Sequence, residues 1–312
     1  MIDRRMVLAT VGAWFAAGGA ARAGPAPHDL SGVWTNAWYT SLERRKAFKA
    51  LVVTPAEAAA YEAPRRALHG EVASKEDVLG QNESEFPDQG PGLARIRGEI
   101  RSSWIVDPPD GQIPWTAAAR VRLHLDKEPA DDFDNVEARD TDERCLTGTG
   151  DSAPIVNTHD ANVIEIVQTR DHVAIYTEKN HAVRIVRLGV AGPATHEPAE
   201  WPGASVGRWE GRTLVVETTH RRPGLTRISD ELSLSDRSRV VEQFTRTGAT
   251  EITYLFQVED PTLFTRAWRG EMVFRPAEGP IYEYACHEGN YSLPSILSAA
   301  RQADVAAAKG TR

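Results

Sequence analysis

From Val163 onward, short runs of β-forming residues are broken by turn residues every eight to twelve positions, with no helical stretch between them until the C-terminus. The runs fall at 163–168, 172–178, 183–188, 205–209, 213–219, 231–235, 239–246, 250–258, 264–274 and 280–287. Neighbouring parallel strands need a crossover of a dozen or more residues, usually a helix. The spacing therefore excludes a parallel α/β sheet and predicts a mainly β fold, an antiparallel meander barrel. Turn chemistry stands between the runs, at Lys179-Asn180, Glu210-Gly211, Ser235-Asp236 and Thr247-Gly248. Alternation agrees: Ile252, Tyr254, Phe256 and Val258 share one face, and Glu251, Thr253 and Gln257 the other. In the last run Tyr282, Tyr284 and Cys286 oppose Ile281, Glu283, Ala285 and His287, a mixture that suggests a strand lining a cavity.

The rest of the chain is read around that barrel, placed at 141–290. Residues 24–140 are rich in Pro, Gly, Arg and acids with little periodicity, and predict an irregular wrapper of the same domain. Short helical turns are expected at Thr54-Pro55-Ala56-Glu57, with Thr54 as N-cap, and from Thr116 to His124. Gln81 to Leu93, holding Pro87, Gly90, Pro91 and Gly92, reads as a loop. Ser292 followed by Leu293, Ile296, Leu297 and Ala300 predicts a capped amphipathic helix in 291–312, with a fraying tail beyond Asp304.

Residues 1–23 carry Asp3-Arg4-Arg5, the apolar stretch Met6 to Ala20, and Ala21-Arg22-Ala23, the layout of an exported leader with a twin-arginine-like start. The apolar run is short for a membrane anchor. Cleavage would remove three basic residues and one acidic, moving the net charge from −8 to −10. Such a balance gives no electrostatic reason to expect nucleic acid or an anionic membrane as partner, and the expected location is periplasmic or secreted. The chain has two cysteines, Cys145 and Cys286, and oxidising conditions after export make one disulfide between them the economical reading.

Leu30-Ser31-Gly32-Val33-Trp34, the segment Ile105 to Gly111, Glu143-Arg144-Cys145-Leu146, Gly207 to Val216 with Trp209-Glu210-Gly211, and Tyr282 to Tyr291 resemble the motifs of a large family of secreted bacterial proteins. The resemblance spans nearly the whole mature chain and implies export and a single unit, with no particular reaction. Arg212 and Thr219-His220 depart from the family pattern, as does the stretch from Gln81 to Gly98, which implies a different choice of substrate. The Gly207-x-Trp209-x-Gly211 hairpin followed by meander strands is similar in style to lipocalin-like barrels.

Two clusters could carry chemistry. Glu178, His181 and Arg184 surround the Lys179-Asn180 turn and match an E-x-x-H-x-x-R pattern of that family. A hairpin could set Arg184 beside Glu178 with His181 as a group titrating near neutrality, or the three could form a solvated ion pair at a loop tip. His287 and Glu288 could act as base and acid, but adjacent strand residues diverge unless the strand ends or bulges, which Gly289 allows. The structural alternatives are a His satisfying backbone carbonyls and a Glu capping the next helix. His159, Asp160, His181, His220 and His287 lack a compact metal-ligand spacing, and no phosphate loop or G-x-S-x-G elbow is present, so no metal or cofactor is expected. The partner expected is a small molecule. Two functions fit: an exported lyase, isomerase or hydrolase using Glu178, His181, Arg184, His287 and Glu288 as acid/base groups at the barrel mouth, or a periplasmic binding protein for a small, partly apolar ligand.

Overall fold

The structure, a computed structural model, describes residues 28–74, 90–123, 135–148, 150–190, 192 and 198–310. The leader and most of the loop expected at 81–93 lie outside these residues. In chain order the first half contributes β1 (Gly32–Thr35), β2 (Val52–Val53), α1 (Pro55–Ser74), β3 (Arg95–Ile96), β4 (Glu99–Arg101), β5 (Ile105–Asp107) and α2 (Ala117–Arg122). Next come β6 (Val163–Gln168), β7 (His172–Thr177), β8 (Val183–Leu188), β9 (Ala204–Glu210) and β10 (Thr213–Thr219). The chain ends with β11 (Leu225–Ser229), β12 (Leu232–Ser235), β13 (Arg239–Gly248), β14 (Glu251–Glu259), β15 (Trp268–Pro276) and α3 (Ser292–Gly310).

Nine strands close a barrel in the order β1-β6-β7-β8-β9-β10-β13-β14-β15, and β15 returns to β1 through Trp34↔Pro276 and Thr35↔Arg275. A ring of nine strands cannot alternate direction all the way round. One pair has to be parallel, and it is β8–β9, with Val186 opposite Ser205. The meander is thus antiparallel at every other seam of the ring. The closing strand comes from the expected wrapper: β1, four residues long, is too short to give a periodic signal.

The expected strand at 280–287 does not form. Both edges of β15 are already occupied, by β14 on one side and by β1 and β5 on the other, so the segment finds no open edge to join. It crosses the end of the barrel without regular structure and turns at 285–288. In addition, β15 begins at Trp268 rather than at residue 264, and β11 pairs with β12 outside the barrel.

Alternation sends Ile164, Ile166, Val173, Ile175, Leu214, Val216, Val240, Phe244, Ile252, Met272 and Phe274 into a single core. Rings of Phe244 and Tyr254 lie 4.7 Å apart, those of Tyr254 and Phe274 5.5 Å, and those of Phe256 and Trp268 5.8 Å. Side chains therefore fill the barrel interior. Gly270 is part of this packing: a Cβ there would stand 2.1 Å from Phe256 Cζ. Gly270→Ala should overpack the core and lower the unfolding free energy by about 1–3 kcal/mol, measured by urea denaturation.

The wrapper has a small core of its own, with Phe48, Val53, Ala58, Leu93 and Ile100 beneath the sheet β2-β4-β3. Thr54 and Glu57 form the expected capping box, with Glu57 N donating to Thr54 Oγ1 and Thr54 N to Glu57 Oε2. The Ala-rich stretch behind the cap extends this into a 20-residue helix, well beyond a single turn, with Pro64 inside it. The helical turn expected from Thr116 forms as α2, and Thr116 caps it, accepting from Ala119 N at 3.0 Å. Arg97 and Arg101 both pair with buried Glu271 of β15 and tie the small sheet to the barrel. At the other end of the chain α3 keeps the stripe Leu293, Ile296, Leu297 and Ala300 partly covered and continues as helix past Asp304, where fraying was expected.

Candidate functional site

Where β7 turns into β8, Lys179–His181 form one 3-10 turn with Asn180 and His181 in the left-handed region, at φ 54° and 41°. Asn adopts that conformation more readily than other non-glycine residues, and here it directs the two neighbouring side chains in different directions. Lys179 is buried beneath the barrel rim and donates to Asp160 Oδ1 and Oδ2, both at 3.2 Å, and to Tyr284 Oη at 2.8 Å. Burial pushes its ammonium down, but Tyr284 and Asp160 outweigh this and hold it above its ordinary value. His181 remains exposed and its Nδ1 meets Tyr284 O at 3.1 Å. A carbonyl accepts only, so Nδ1 carries the proton and Nε2 of the neutral ring keeps its lone pair.

Those two contacts fasten the irregular segment after β15 at Tyr284, and the disulfide Cys145–Cys286 fastens it covalently two residues on, with Cα atoms 5.8 Å apart. Asn290 Nδ2 adds a hydrogen bond to Glu143 O at 3.2 Å. Because 285–288 is a turn with Glu288 N donating to Ala285 O at 3.0 Å, His287 and Glu288 do not diverge as they would on a strand. Both line a cleft of about 420 Å³, together with His181, Asp151, Asn180 and Glu283. A neighbouring cleft of about 430 Å³ runs between the same segment and α3, along Asp142, Glu143 and Ile296, and Glu288 borders both.

Asp151 is the buried acid of this cleft. Its Oδ1 accepts from Thr147 Oγ1 at 2.6 Å, and its Oδ2 from Gly148 N at 2.7 Å and Asn180 Nδ2 at 3.0 Å. Burial raises its affinity for a proton above the ordinary carboxylate value and prevails over these donors; burial raises that of Asp142 as well. A carboxyl whose value is raised in the folded state stabilises the fold below the unfolded value, and that contribution is lost as pH rises through the folded value. The stability advantage of the wild type over Asp151→Asn should therefore shrink as pH rises above the ordinary carboxylate value of about 4, read from urea unfolding curves. An advantage constant with pH would mean that Asp151 titrates alike in both states.

The floor is braced by Arg221, fully enclosed, which donates to Ser152 Oγ, Ala153 O, Pro202 O and Ser238 Oγ. Burial, aided by the nearby Arg184 charge, lowers its guanidinium to about 10. By joining the 151–154 and 201–202 stretches it positions Asp151 and Pro202, which both border the cleft.

Of the five expected acid/base residues, His181, His287 and Glu288 come together, and two do not line this cleft. Arg184 is not the partner of Glu178. On β8 Val183 and Ile185 face outward, half-exposed, while Arg184 faces the barrel interior and pairs there with Glu242 of β13. Glu178 sits half-buried at the end of β7, its N–H bonded to Val163 O at 2.9 Å. Sequence reasoning missed Asp151, Asn180, Lys179, Tyr284 and Arg221. The one usable signal was Asn180 in a tight turn, since no periodicity marks the loop that carries Asp151. Among the described residues no group of three His, Cys, Asp or Glu is placed to hold a metal ion. Comparison of the chain with family models, with curated proteins and with solved structures finds no match.

Proposed function

We propose that the protein is an exported small-molecule-binding protein, and that the cleft beside the Cys145–Cys286 disulfide takes a small polar ligand bearing an amine. The observation that carries this reading is the composition of the lining. Glu283, Glu288 and Asp151 stand with two imidazoles, and among the described residues no Lys or Arg borders the cleft. Carboxylates gathered without basic partners favour a cation that also donates hydrogen bonds. Its volume lies within the usual range for small-ligand sites, and its walls are tied covalently, which reduces the ordering cost of binding. Export is supported by the disulfide and by the leader-like residues 1–23. A periplasmic or extracellular location also fits the resemblance to secreted bacterial proteins.

General acid/base catalysis of the lyase, isomerase or hydrolase kind is a second reading, and one observation favours it. Asp151 holds a proton more tightly than an ordinary carboxylate and borders the same cleft as His181, whose Nε2 is an acceptor.

The test is calorimetric titration of the oxidised, full chain with putrescine, and with butanediol as the uncharged control. Putrescine should bind, butanediol should bind at least about tenfold more weakly, and Glu283→Gln/Glu288→Gln should remove at least about tenfold of the putrescine affinity. Equal binding of both probes, or none, would overturn the reading. Release of a chemically altered probe would bring catalysis forward.

A further inference from the structure

On the same end of the barrel a larger cleft, about 630 Å³, opens between the wrapper and the strand ends. One jaw is built by the segment after β1 and by α1, and the other by residues 157–159 and the β11–β12 turn. Tyr61 and Arg65 lie one turn apart on α1, and both face this space. The Arg65 guanidinium carbon stands 3.6 Å from the Tyr61 ring centroid, and Nη1 donates to Tyr61 O at 3.0 Å. Stacking and that one hydrogen bond fix the plane of the guanidinium and leave further N–H groups for a ligand.

The other Arg, Asp and Glu side chains that line the cleft are matched. Arg45 pairs with Glu231 at 2.6 Å, Asp230 with Arg227 at 3.0 Å, and the neighbouring Arg66 with Glu62 at 2.9 Å. Among the described residues no carboxylate pairs with Arg65. An oriented guanidinium without a counter-ion is complementary to a carboxylate, which it can engage through two parallel hydrogen bonds. Beside it, Trp38 and Tyr39 offer partly buried ring surface for the apolar body of the same molecule.

We infer that this cleft is a second binding site, for a small aromatic carboxylate, with Arg65 holding the carboxylate and Trp38 and Tyr39 bearing the ring. It is distinct in charge from the acidic cleft at the disulfide, and it does not depend on that cleft's assignment.

The experiment titrates the full, oxidised chain with benzoate, benzyl alcohol and benzylamine, following affinity by calorimetry and location by amide chemical shifts. Benzoate should bind, and benzyl alcohol and benzylamine each at least about tenfold more weakly. Arg65→Gln should weaken benzoate by at least about tenfold while leaving benzyl alcohol unchanged, and Arg65→Lys should fall between, because an ammonium lacks the paired donors. Melting curves of both variants are compared with the wild type. If Arg65→Gln loses its fold, the ordering wild type above Arg65→Lys in benzoate affinity carries the test. Glu288→Gln, in the other cleft, should leave benzoate affinity as it is. The proposal is overturned if benzoate fails to bind, if the three probes bind alike, if both Arg65 variants bind benzoate like the wild type, or if the shifts fall in the acidic cleft.

Discussion

Replacing Glu242 by leucine should cost about 3–5 kcal/mol of stability, the largest loss expected from any single substitution in the barrel. Glu242 is 0% exposed; Oε1 accepts from Arg184 Nη2 at 2.9 Å and from Tyr254 Oη at 2.8 Å, while Oε2 takes Arg184 Nη1. Tyr254 Oη in turn accepts from Ile155 N at 2.9 Å, so the chain of bonds links β8, β13, β14 and the loop leading into β6. Burial depresses the Arg184 cation, but Glu242 restores it above its ordinary value, and burial with the Glu242 charge drives the Tyr254 hydroxyl well up. Leucine would strand a charged guanidinium inside the barrel, with Thr218 Oγ1 at 3.3 Å as its remaining partner. The pair Arg184→Met/Glu242→Gln removes both charges and keeps an acceptor for Tyr254. It should recover most of the loss, to within about 1–2 kcal/mol of wild type. The exposed pair Arg208–Glu210 gives the contrast: Glu210→Gln should change stability by less than about 0.5 kcal/mol. Urea denaturation of the four proteins measures all of this. A double variant as unstable as Glu242→Leu would show that the loss comes from packing and not from the stranded charge.

Removing the disulfide should have a comparable effect by another route. Cys145 and Cys286 are separated by 141 residues in sequence, and closing a loop of that size restricts the unfolded chain by about 4–5 kcal/mol in the chain-entropy account. Cys145→Ala/Cys286→Ala should lose that much on denaturation. It should also lose putrescine affinity, since His287 and Glu288 hold their places through the segment the bond fastens. The Tyr284 contacts with Lys179 and His181 survive the substitution. A stability loss below about 2 kcal/mol would mean that they, and not the covalent bond, secure the segment.

How far this was legible in the sequence depends on the element. The strands from β6 to β10 and β12 to β14 follow from spacing, turn residues and period-two hydropathy, because barrel strands bury one face and expose the other. Strand β1 escaped notice at four residues, and 280–287 looked like a strand because local pattern carries no information about whether an edge is free. The pairing of Arg184 with Glu178 looked plausible because the two flank one turn, whereas alternation along β8 carries Arg184 to the barrel interior and to Glu242. Its counterpart was visible: Glu242 falls in phase with Val240 and Phe244, the mark of a carboxylate facing the core and needing a cation. In the site, His181, His287 and Glu288 were reachable by residue chemistry and the disulfide by count. Asp151 and Arg221 were not, because their roles arise from loops that meet only after the barrel closes.

The central claim is that the cleft beside the disulfide is the ligand site. Histidine-resolved NMR of the oxidised chain titrated with putrescine tests it most directly, because His181 and His287 border the cleft while His172, at the start of β7, does not. The account predicts saturable shifts of the His181 and His287 ring signals together, with His172 stationary, and their disappearance in Glu283→Gln/Glu288→Gln. Uniform movement of all three, or saturable binding that leaves His181 and His287 unmoved, would contradict it.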